Sequence, residues 1–573
     1  MIRIKNHKQQ ELFDPWSFLS PKRRKLLDQS WASLFREELL CELPVNEFAS
    51  HFNEDFGRPT KELHTALGVL VIQQTQDATD EEAVNQLAFN TQWHYALNIT
   101  EESDSAKYMS TKTLWTMRNI VYQNNLDEVL FENIRDKLAK VFNVNTDTQR
   151  IDSVHIKSNM KRLGRISIFV TTINKFLVNL KRNHKELFAT VDTDIIEKYL
   201  PEKALNCFAM IKPSESARTL TSVSKDLFDL IQQFKAHPEV KNMHSYKLLE
   251  RVLNEQCNLN VSEDINPVTV KPPKEIPSDS LQNPSDPDAT YSGHKGQGYQ
   301  VQIMETYSKD EDPESSKDKD LNLITHVEVQ QAHESDAHAL IPAIESTKKN
   351  DLAPKELLAD SIYSSDDNRQ EAEQLGVELV APVMGSAKEN SISLSDFKLS
   401  EKGQVISCPQ GHAPVKTKKK KRYSAGFDLH HCSNCPNQSI CSVKKGRKYY
   451  YLRYTAKEVR VALRRAYEQT DAFKDRYRWR AGVEATMSEY DRRTGVKRLR
   501  VRGFKAVRFC AILKATGLNI LRAAAVRRAR VEGESAPGRT NRGAMYAFFI
   551  VKERAKLILA ITTYIDRIAF TFI

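Results

Sequence analysis

The sequence predicts an α/β catalytic core, a mixed sheet flanked by helices. A helical insertion and a small cysteine-rich β insertion interrupt it, and an all-α N-terminal domain precedes it. Three observations predict this. Residues 1–145 carry apolar residues at helical spacing. Strand-like runs at 149–157, 298–307 and 322–331 alternate or concentrate β-branched residues. A helix opening at residue 476 presents a polar, charged stripe where a structural helix would be apolar.

Within the first 145 residues, 19–40, 58–76 and 79–99 read as helices. Thr79 starts one of them, with Asp80, Glu81 and Glu82 at its positive end, and Ser110 introduces another. Such a bundle either binds DNA or pairs protomers; DNA binding is the expectation. At 149–157, Ile151, Val154 and Ile156 make a short, largely buried strand that contains Asp152. A buried carboxylate is expensive unless it pairs with a cation or holds a metal, so Asp152 is either an arginine partner or a functional acid. Residues 160–262 return to helix, and the proline- and serine-rich stretch 266–297 reads as an extended linker.

Strands at 298–307 and 322–331 follow, joined by an acidic, serine-rich segment expected to be a flexible hairpin loop. A helix at 334–349, a strand running into Asp360, a helix at 367–376 and a last strand at 377–383 complete the pattern. Strand, two hairpin strands, helix, strand, helix, strand is the order of a ribonuclease H-like fold. It sets Asp152 on the first strand, Asp360 at the end of the adjacent fourth, and Glu484 on the helix after the fifth. The expected domains are 1–145 (helical), 146–159 with 286–385 and 453–525 (core), 160–285 (helical insertion plus linker), 386–452 (cysteine-rich, zinc-ribbon-like insertion) and 526–573 (tail).

In the helix at 476, steps of three and four align Tyr477, Arg480, Glu484, Ser488 and Asp491, with Val483 and Met487 on the flank. A solvated helix with i,i+4 ion pairs is the plain alternative. Three carboxylates without a histidine pair make a hard oxygen site, suited to Mg2+ or Mn2+. Two such ions, about 4 Å apart, support in-line phosphodiester attack, so the reaction class is phosphoryl transfer on DNA. The segment after the helix packs Lys497, Arg498, Arg500 and Arg502 between Gly495 and Gly503, a density that suits a phosphate backbone.

Four of the eight cysteines cluster: Cys408, then Cys432, Cys435 and Cys441. The Cys-x2-Cys turn is the usual zinc knuckle, and Cys408 can close a four-thiolate site for structural Zn2+. His412, His430 and His431 are alternative ligands, and reduced cysteines packing a small β insertion are the other reading. The lysine run from Lys416 to Arg422 would then lie along DNA as phosphate contacts, or be plain surface. Cys41, Cys207, Cys257 and Cys510 stand singly and read as buried free thiols.

With 573 residues and a net charge of +11 concentrated in the last third, the chain favours a polyanionic partner. It has neither an eighteen-residue apolar run nor a signal-like N-terminus, so the expectation is a cytoplasmic protein, nucleoid-associated when DNA-bound, with no membrane partner. The last residues have no functional reading.

The sequence resembles the DDE transposases of bacterial insertion sequences. The matches are IDSVHIKSN around Asp152, DPDATYSGHKGQGYQVQIMET, LLADSIYSSDDN around Asp360, and Tyr477-x2-Arg480-x3-Glu484, which is the family's Y-x2-R-x3-E signature; the segment from Phe56 to Leu97 is similar to the family's helical N-terminal domain. The resemblance implies that Asp152, Asp360 and Glu484 bind the catalytic metals and that Tyr477 and Arg480 hold phosphate. Many members carry a lysine seven positions after the glutamate. Here Asp491 stands there, and Arg492, Arg493 and Lys497 are the candidate substitutes. The implied partners are double-stranded DNA, as element terminal repeats and target, and a second copy of the chain in a homodimer. Tyr363 either walls the site or simply packs. The implied activity is metal-dependent strand cleavage and strand transfer; the alternatives are a nuclease that only hydrolyses and an inactive transposase-derived DNA-binding protein.

Overall fold

A computed structural model of the chain describes residues 1–9, 12–201, 211–259, 267–309, 320–385, 390–419 and 422–534. The N-terminal helices include α1 (Leu63–Thr75), α2 (Asp80–Phe89), α3 (Thr111–Gln123) and α4 (Leu126–Phe142). Every residue of α1 is buried, as a helix apolar on all sides requires. The expected Thr79 start is a complete capping box with Glu82, and Ser110 caps α3 through the Thr113 amide.

The central sheet is built from β1 (Thr148–Lys157), β2 (Thr290–Ser292), β3 (Gly296–Thr306), β4 (Ile324–Gln331), β5 (Glu356–Leu358) and β6 (Glu378–Val380). Its spatial order is β4-β3-β1-β5-β6. The β4-β3-β1 pairs are antiparallel and the β1-β5-β6 pairs parallel, and short β2 extends the edge beside the start of β3. Alternation along β1 divides two cores. Ile151 joins Met304 and Leu357 beneath the helices α8 (Leu340–Lys349) and α9 (Asp366–Gln374). Val154 and Ile156 point to the opposite face.

That opposite core corrects the expected boundary at 145. Leu67, Trp93 and Leu130 of the N-terminal helices form one continuous cluster with Val154, Tyr299 and Val301 of the sheet and with Ile512 and Leu518 of the long C-terminal helix. The N-terminal helices are therefore packed into the core, not set beside it. The C-terminal helix, Phe504–Glu534, also runs through the expected break at 525; the tail from 535 lies outside the described residues. It is long and apolar enough to cross a membrane, but 78% of its apolar window is buried inside the molecule.

The helical insertion, with α5 (Arg165–Asn183), α6 (Ser216–Phe234) and α7 (His244–Gln256), has its own core around Phe169, Phe176, Leu227 and Tyr246. The stretch expected to be an extended linker is instead a packed strap. Asp286, fully buried, accepts from the Tyr299 hydroxyl (2.6 Å), the Ser158 hydroxyl (2.5 Å) and the Gly503 amide (3.0 Å). Asp288 accepts from the Phe504 amide at 2.9 Å, at the head of the C-terminal helix. Most of the expected hairpin loop, 310–319, lies outside the described residues.

The cysteine-rich insertion contains β7 (Lys416–Lys419), β8 (Tyr423–Phe427), β9 (Lys444–Lys445) and β10 (Tyr450–Tyr454), in antiparallel order β7-β8-β10-β9. Phe397, Phe427, Tyr450, Leu452 and Tyr454 form its core. After it come α10 (Ala456–Glu468), α11 (Asp471–Tyr477), a 3-10 turn at Arg478–Ala481 and α12 (Gly482–Thr494); the C-terminal helix is α13. The single helix expected from 476 is thus broken between Tyr477 and Gly482.

Candidate functional site

Asp152 pairs in register with Ile303 and lies on the sheet face covered by α12. Asp360 stands two residues past β5 and caps the turn Ser361–Tyr363, its Oδ1 accepting from the Ile362 amide at 2.8 Å. Glu484 is in the first turn of α12, where a negative charge complements the helix dipole. These three acids gather around one guanidinium. Arg480 Nη2 donates to Asp152 Oδ2 at 2.8 Å and stands 3.9 Å from Asp360 Oδ2, while Nη1 donates to Glu484 Oε1 at 3.0 Å.

Exposure is graded across the cluster: the side chain of Asp152 is 19% exposed, that of Asp360 36% and that of Glu484 69%. The cluster therefore opens to solvent on the Glu484 side. Burial pushes the Asp152 carboxyl above the usual aspartate range; Arg480 pulls it back, and the charges of Asp360 and Asp336 add to the rise. Three carboxylates facing one guanidinium leave negative charge to be balanced, and an all-oxygen donor set suits a hard divalent cation. Tyr477 stacks on Phe473 with ring centroids 5.3 Å apart. Its hydroxyl is raised mainly by burial and feels Arg480, Asp360 and Asp152.

A second charged cluster lies under α12, and sequence reading missed it. Glu305, fully buried, accepts from Arg150 Nε (2.8 Å), Arg522 Nη1 (2.9 Å) and the Thr486 hydroxyl (2.7 Å). Arg150 also donates to the Trp479 carbonyl at 2.8 Å, which holds the 3-10 turn. A Cβ at position 482 would sit 2.1 Å from the Arg150 guanidinium, so a larger residue there would have to push that side chain out of the cluster. The Arg150 bond to the Trp479 carbonyl falls inside the break at 478–481. The available signal was a single acid in the strand Gly296–Thr306, Glu305, and an arginine, Arg522, set among apolar residues from Leu518 to Val526.

Asp336 and Lys295 were also missed. Lys295 Nζ bridges the Ser153 hydroxyl (2.9 Å) and Asp336 Oδ2 (3.2 Å), and Gln302 Nε2 donates to Asp336 Oδ1 (2.8 Å). Tyr363, nearly fully buried, donates to Gln302 Oε1 at 2.6 Å and belongs to the core under α8 and α9, as its packing reading expects. Among the described residues, one trio of ligating side chains already has its donor atoms within 4.8 Å of one another: His7, Glu62 and His64. There Glu62 caps α1 through the His64 and Thr65 amides.

The basic segment is anchored by buried Val496 and Leu499. Its cations differ. Arg492, Arg498 and Arg502 are exposed, their side chains without a protein partner among the described residues. Arg500 pairs with Asp77 at 3.0 Å and donates to the Asp77 carbonyl at 2.9 Å. Lys497 stands 3.7 Å from Asp491, whose Oδ1 accepts the Lys497 amide at 3.1 Å, and Arg493 pairs with Glu489 at 2.8 Å. Asp491, in the position of the family lysine, therefore fastens the turn after α12.

Cys408, Cys432, Cys435 and Cys441 line one cavity of about 30 Å³ together with His412 and His431, whose rings stack 4.3 Å apart. Burial and the three neighbouring thiols push the Cys432 thiol up to about 11, and Cys441 is raised mainly by burial. Thiols that crowd and suppress one another's ionisation are a donor set that a soft-accepting cation would relieve. Cys257 and Cys510 are buried free thiols as expected and Cys41 is half-buried; Cys207 lies outside the described residues.

Family comparison places these features in a class. Residues 407–524 match a transposase DDE domain, and residues 25–119 match a transposase domain, DUF772. The two matches support a DDE transposase of an insertion sequence. A DDE domain implies divalent-metal dependence in general, and transposases act on DNA. Glu484, Arg480 and the cysteine cluster fall inside the first match; Asp152 and Asp360 lie between the two. No curated protein matches the chain.

Proposed function

We propose that the chain binds the ends of an insertion sequence, cleaves DNA there and joins the freed 3′-hydroxyl to target DNA, with Asp152, Asp360 and Glu484 holding Mg2+ or Mn2+. The observation that carries this reading is the convergence of the three acids on Arg480, across 328 positions of sequence between Asp152 and Arg480. The sheet order supports a ribonuclease H-like core. Divalent ions bound there would activate a water or hydroxyl and stabilise the leaving oxygen. Arg480, released from its acids when a cation binds, is free to hold the scissile phosphate, with Tyr477 beside it. Arg492, Lys497, Arg498, Arg500 and Arg502 contact flanking phosphates. The four cysteines hold structural Zn2+, the N-terminal helices contact DNA, and two copies assemble on paired ends.

The test incubates wild type and Asp360→Asn with DNA carrying the flanking element ends, with Mg2+ or EDTA. Mg2+-dependent cleaved and joined products, absent from the variant, are expected. Cleavage without joining would overturn strand transfer in favour of hydrolysis, and tight binding without any product would overturn catalysis altogether.

A further inference from the structure

Strand pairing in the cysteine-rich insertion fixes which side chains share a face. Lys416 pairs with Gly426, Gly426 with Tyr451, and Tyr451 with Lys444; in the next row but one, Lys418 pairs with Ser424 and Ser424 with Arg453. Directly paired residues of an antiparallel ladder project to the same side. The alternate rows, Ala425 with Leu452, Phe427 with Tyr450 and Tyr423 with Tyr454, supply the module's core. The opposite face therefore carries Lys416, Lys418, Lys444 and Arg453, all exposed, around Tyr451.

That tyrosine has a built seat. Gly446 and Gly426 lie against it: an added Cβ would come within 2.8 Å of the Tyr451 ring at Gly446 and within 3.3 Å at Gly426. The Arg453 guanidinium stands 5.7 Å from the ring centroid, and Tyr449 meets the ring edge-on at 6.1 Å. No carboxylate shares the face among the described residues. From Lys416 to Tyr454 the sequence holds eleven Lys and Arg and one acid, Asp428. Asp428 is occupied elsewhere, accepting from the His430 and His431 amides. A merely solvated surface mixes both signs, whereas like charges on strands about 4.8 Å apart repel unless a polyanion covers them.

We infer that this sheet face is a DNA-contacting surface separate from the segment after α12, lying on the sugar-phosphate backbone of duplex DNA. It rests on the transposase reading and extends it to a part of the chain far from Asp152 in sequence. Duplex is the occupant because the face presents four cations around two rings, Tyr451 and Tyr449, that meet edge-on at 86° and so offer no run of parallel faces to successive bases. Single-strand platforms present successive aromatics for base stacking, and here Tyr423, Phe427, Tyr450 and Tyr454 serve the core.

The experiment uses the full chain, as wild type, as the combined Lys416→Ala, Lys418→Ala, Lys444→Ala, Arg453→Ala variant, and as Tyr451→Ala. Each is titrated with a random-sequence duplex and with the same-length single strand across a range of salt. Unchanged zinc content and melting temperature establish that the variants fold. The combined variant is expected to lower the salt slope for duplex by about 3–4, at about 0.9 per lost phosphate contact, and to weaken binding on the order of 100-fold or more at low salt. Tyr451→Ala is expected to weaken it a few-fold with the slope unchanged. Wild-type slope and affinity in the combined variant overturn the inference, as does a loss confined to single strands. Wild type that binds no DNA at all overturns the transposase reading itself, a distinct outcome.

Discussion

Two charged clusters flank the start of α12 on the same sheet face, one balanced in charge and the other not. Around Glu305 two guanidiniums, Arg150 and Arg522, meet two carboxylates, since Arg522 also pairs with Glu489 at 2.8 Å, and Glu305 is fully buried. Around Arg480 three carboxylates share one guanidinium and open to solvent. The first arrangement closes on itself and fixes the helix. The second is left short of positive charge, which is what a cation-binding site requires before its cation arrives. The two are separable by mutation, because removing an acid from the open cluster relieves repulsion while removing Glu305 from the closed one strands the buried Arg150 and leaves Arg522 with Glu489 alone.

The largest expected effect is on chemistry. Asp152→Asn should reduce metal-dependent DNA products at least 1,000-fold, on the order expected when a metal-holding carboxylate is lost, with stability changed by no more than about 1 kcal/mol. Product assays and urea unfolding of the same preparation check both halves. Retained products would remove Asp152 from the metal site, and a large stability loss would make it a structural acid like Glu305.

Glu305→Ala inverts that pattern. Breaking a buried ion pair on one side typically costs about 3–5 kcal/mol, and here Arg150 and Thr486 lose their carboxylate while Arg522 keeps only Glu489. The expectation is a shift of the unfolding midpoint corresponding to that loss, with activity falling only as α12 loses its seat. A loss below about 1 kcal/mol would mean that the clamp is not what holds the helix on the sheet.

How far the sequence alone reached follows the same division. The strands were legible because β-branched residues alternate along β1 and β3, and the three acids of the open cluster were legible because each sits in a short, unusual local context. The closed cluster was not. Its partners lie 155 and 217 positions from Glu305, and nothing local to Arg150 or Arg522 names the other. The break in the helix at 478–481 was hidden for the same reason, since the group that binds its Trp479 carbonyl is an arginine on β1, 329 positions away. Composition misled in the strap, where proline and serine suggested a free linker although Asp286 binds three separate elements. Amphipathic faces in the N-terminal helices showed that they pack, but not that they pack on the sheet.

A smaller effect sharpens the open cluster. If Arg480 neutralises the acids until a cation arrives, Arg480→Ala removes a competitor, and Mn2+ should bind about tenfold more tightly, equivalent to about 1.4 kcal/mol. Calorimetric titration of the full chain measures this without relying on turnover. Arg522→Ala, at the closed cluster, should leave Mn2+ affinity unchanged. Equal Mn2+ affinity in wild type and Arg480→Ala would show that the guanidinium does not compete for the carboxylates.

The smallest effect separates cations within the basic segment. Arg500 is already engaged by Asp77, and an exposed pair of this kind contributes no more than about 1 kcal/mol. To reach a phosphate Arg500 must leave that pair, whereas Arg498 and Arg502 have none to leave. Arg498→Ala and Arg502→Ala should therefore each lower the salt slope of duplex binding by about 0.9, and Arg500→Ala by less. Three equal slopes would mean that the Asp77 contact gives way without penalty and that the segment acts as an undifferentiated run of charge.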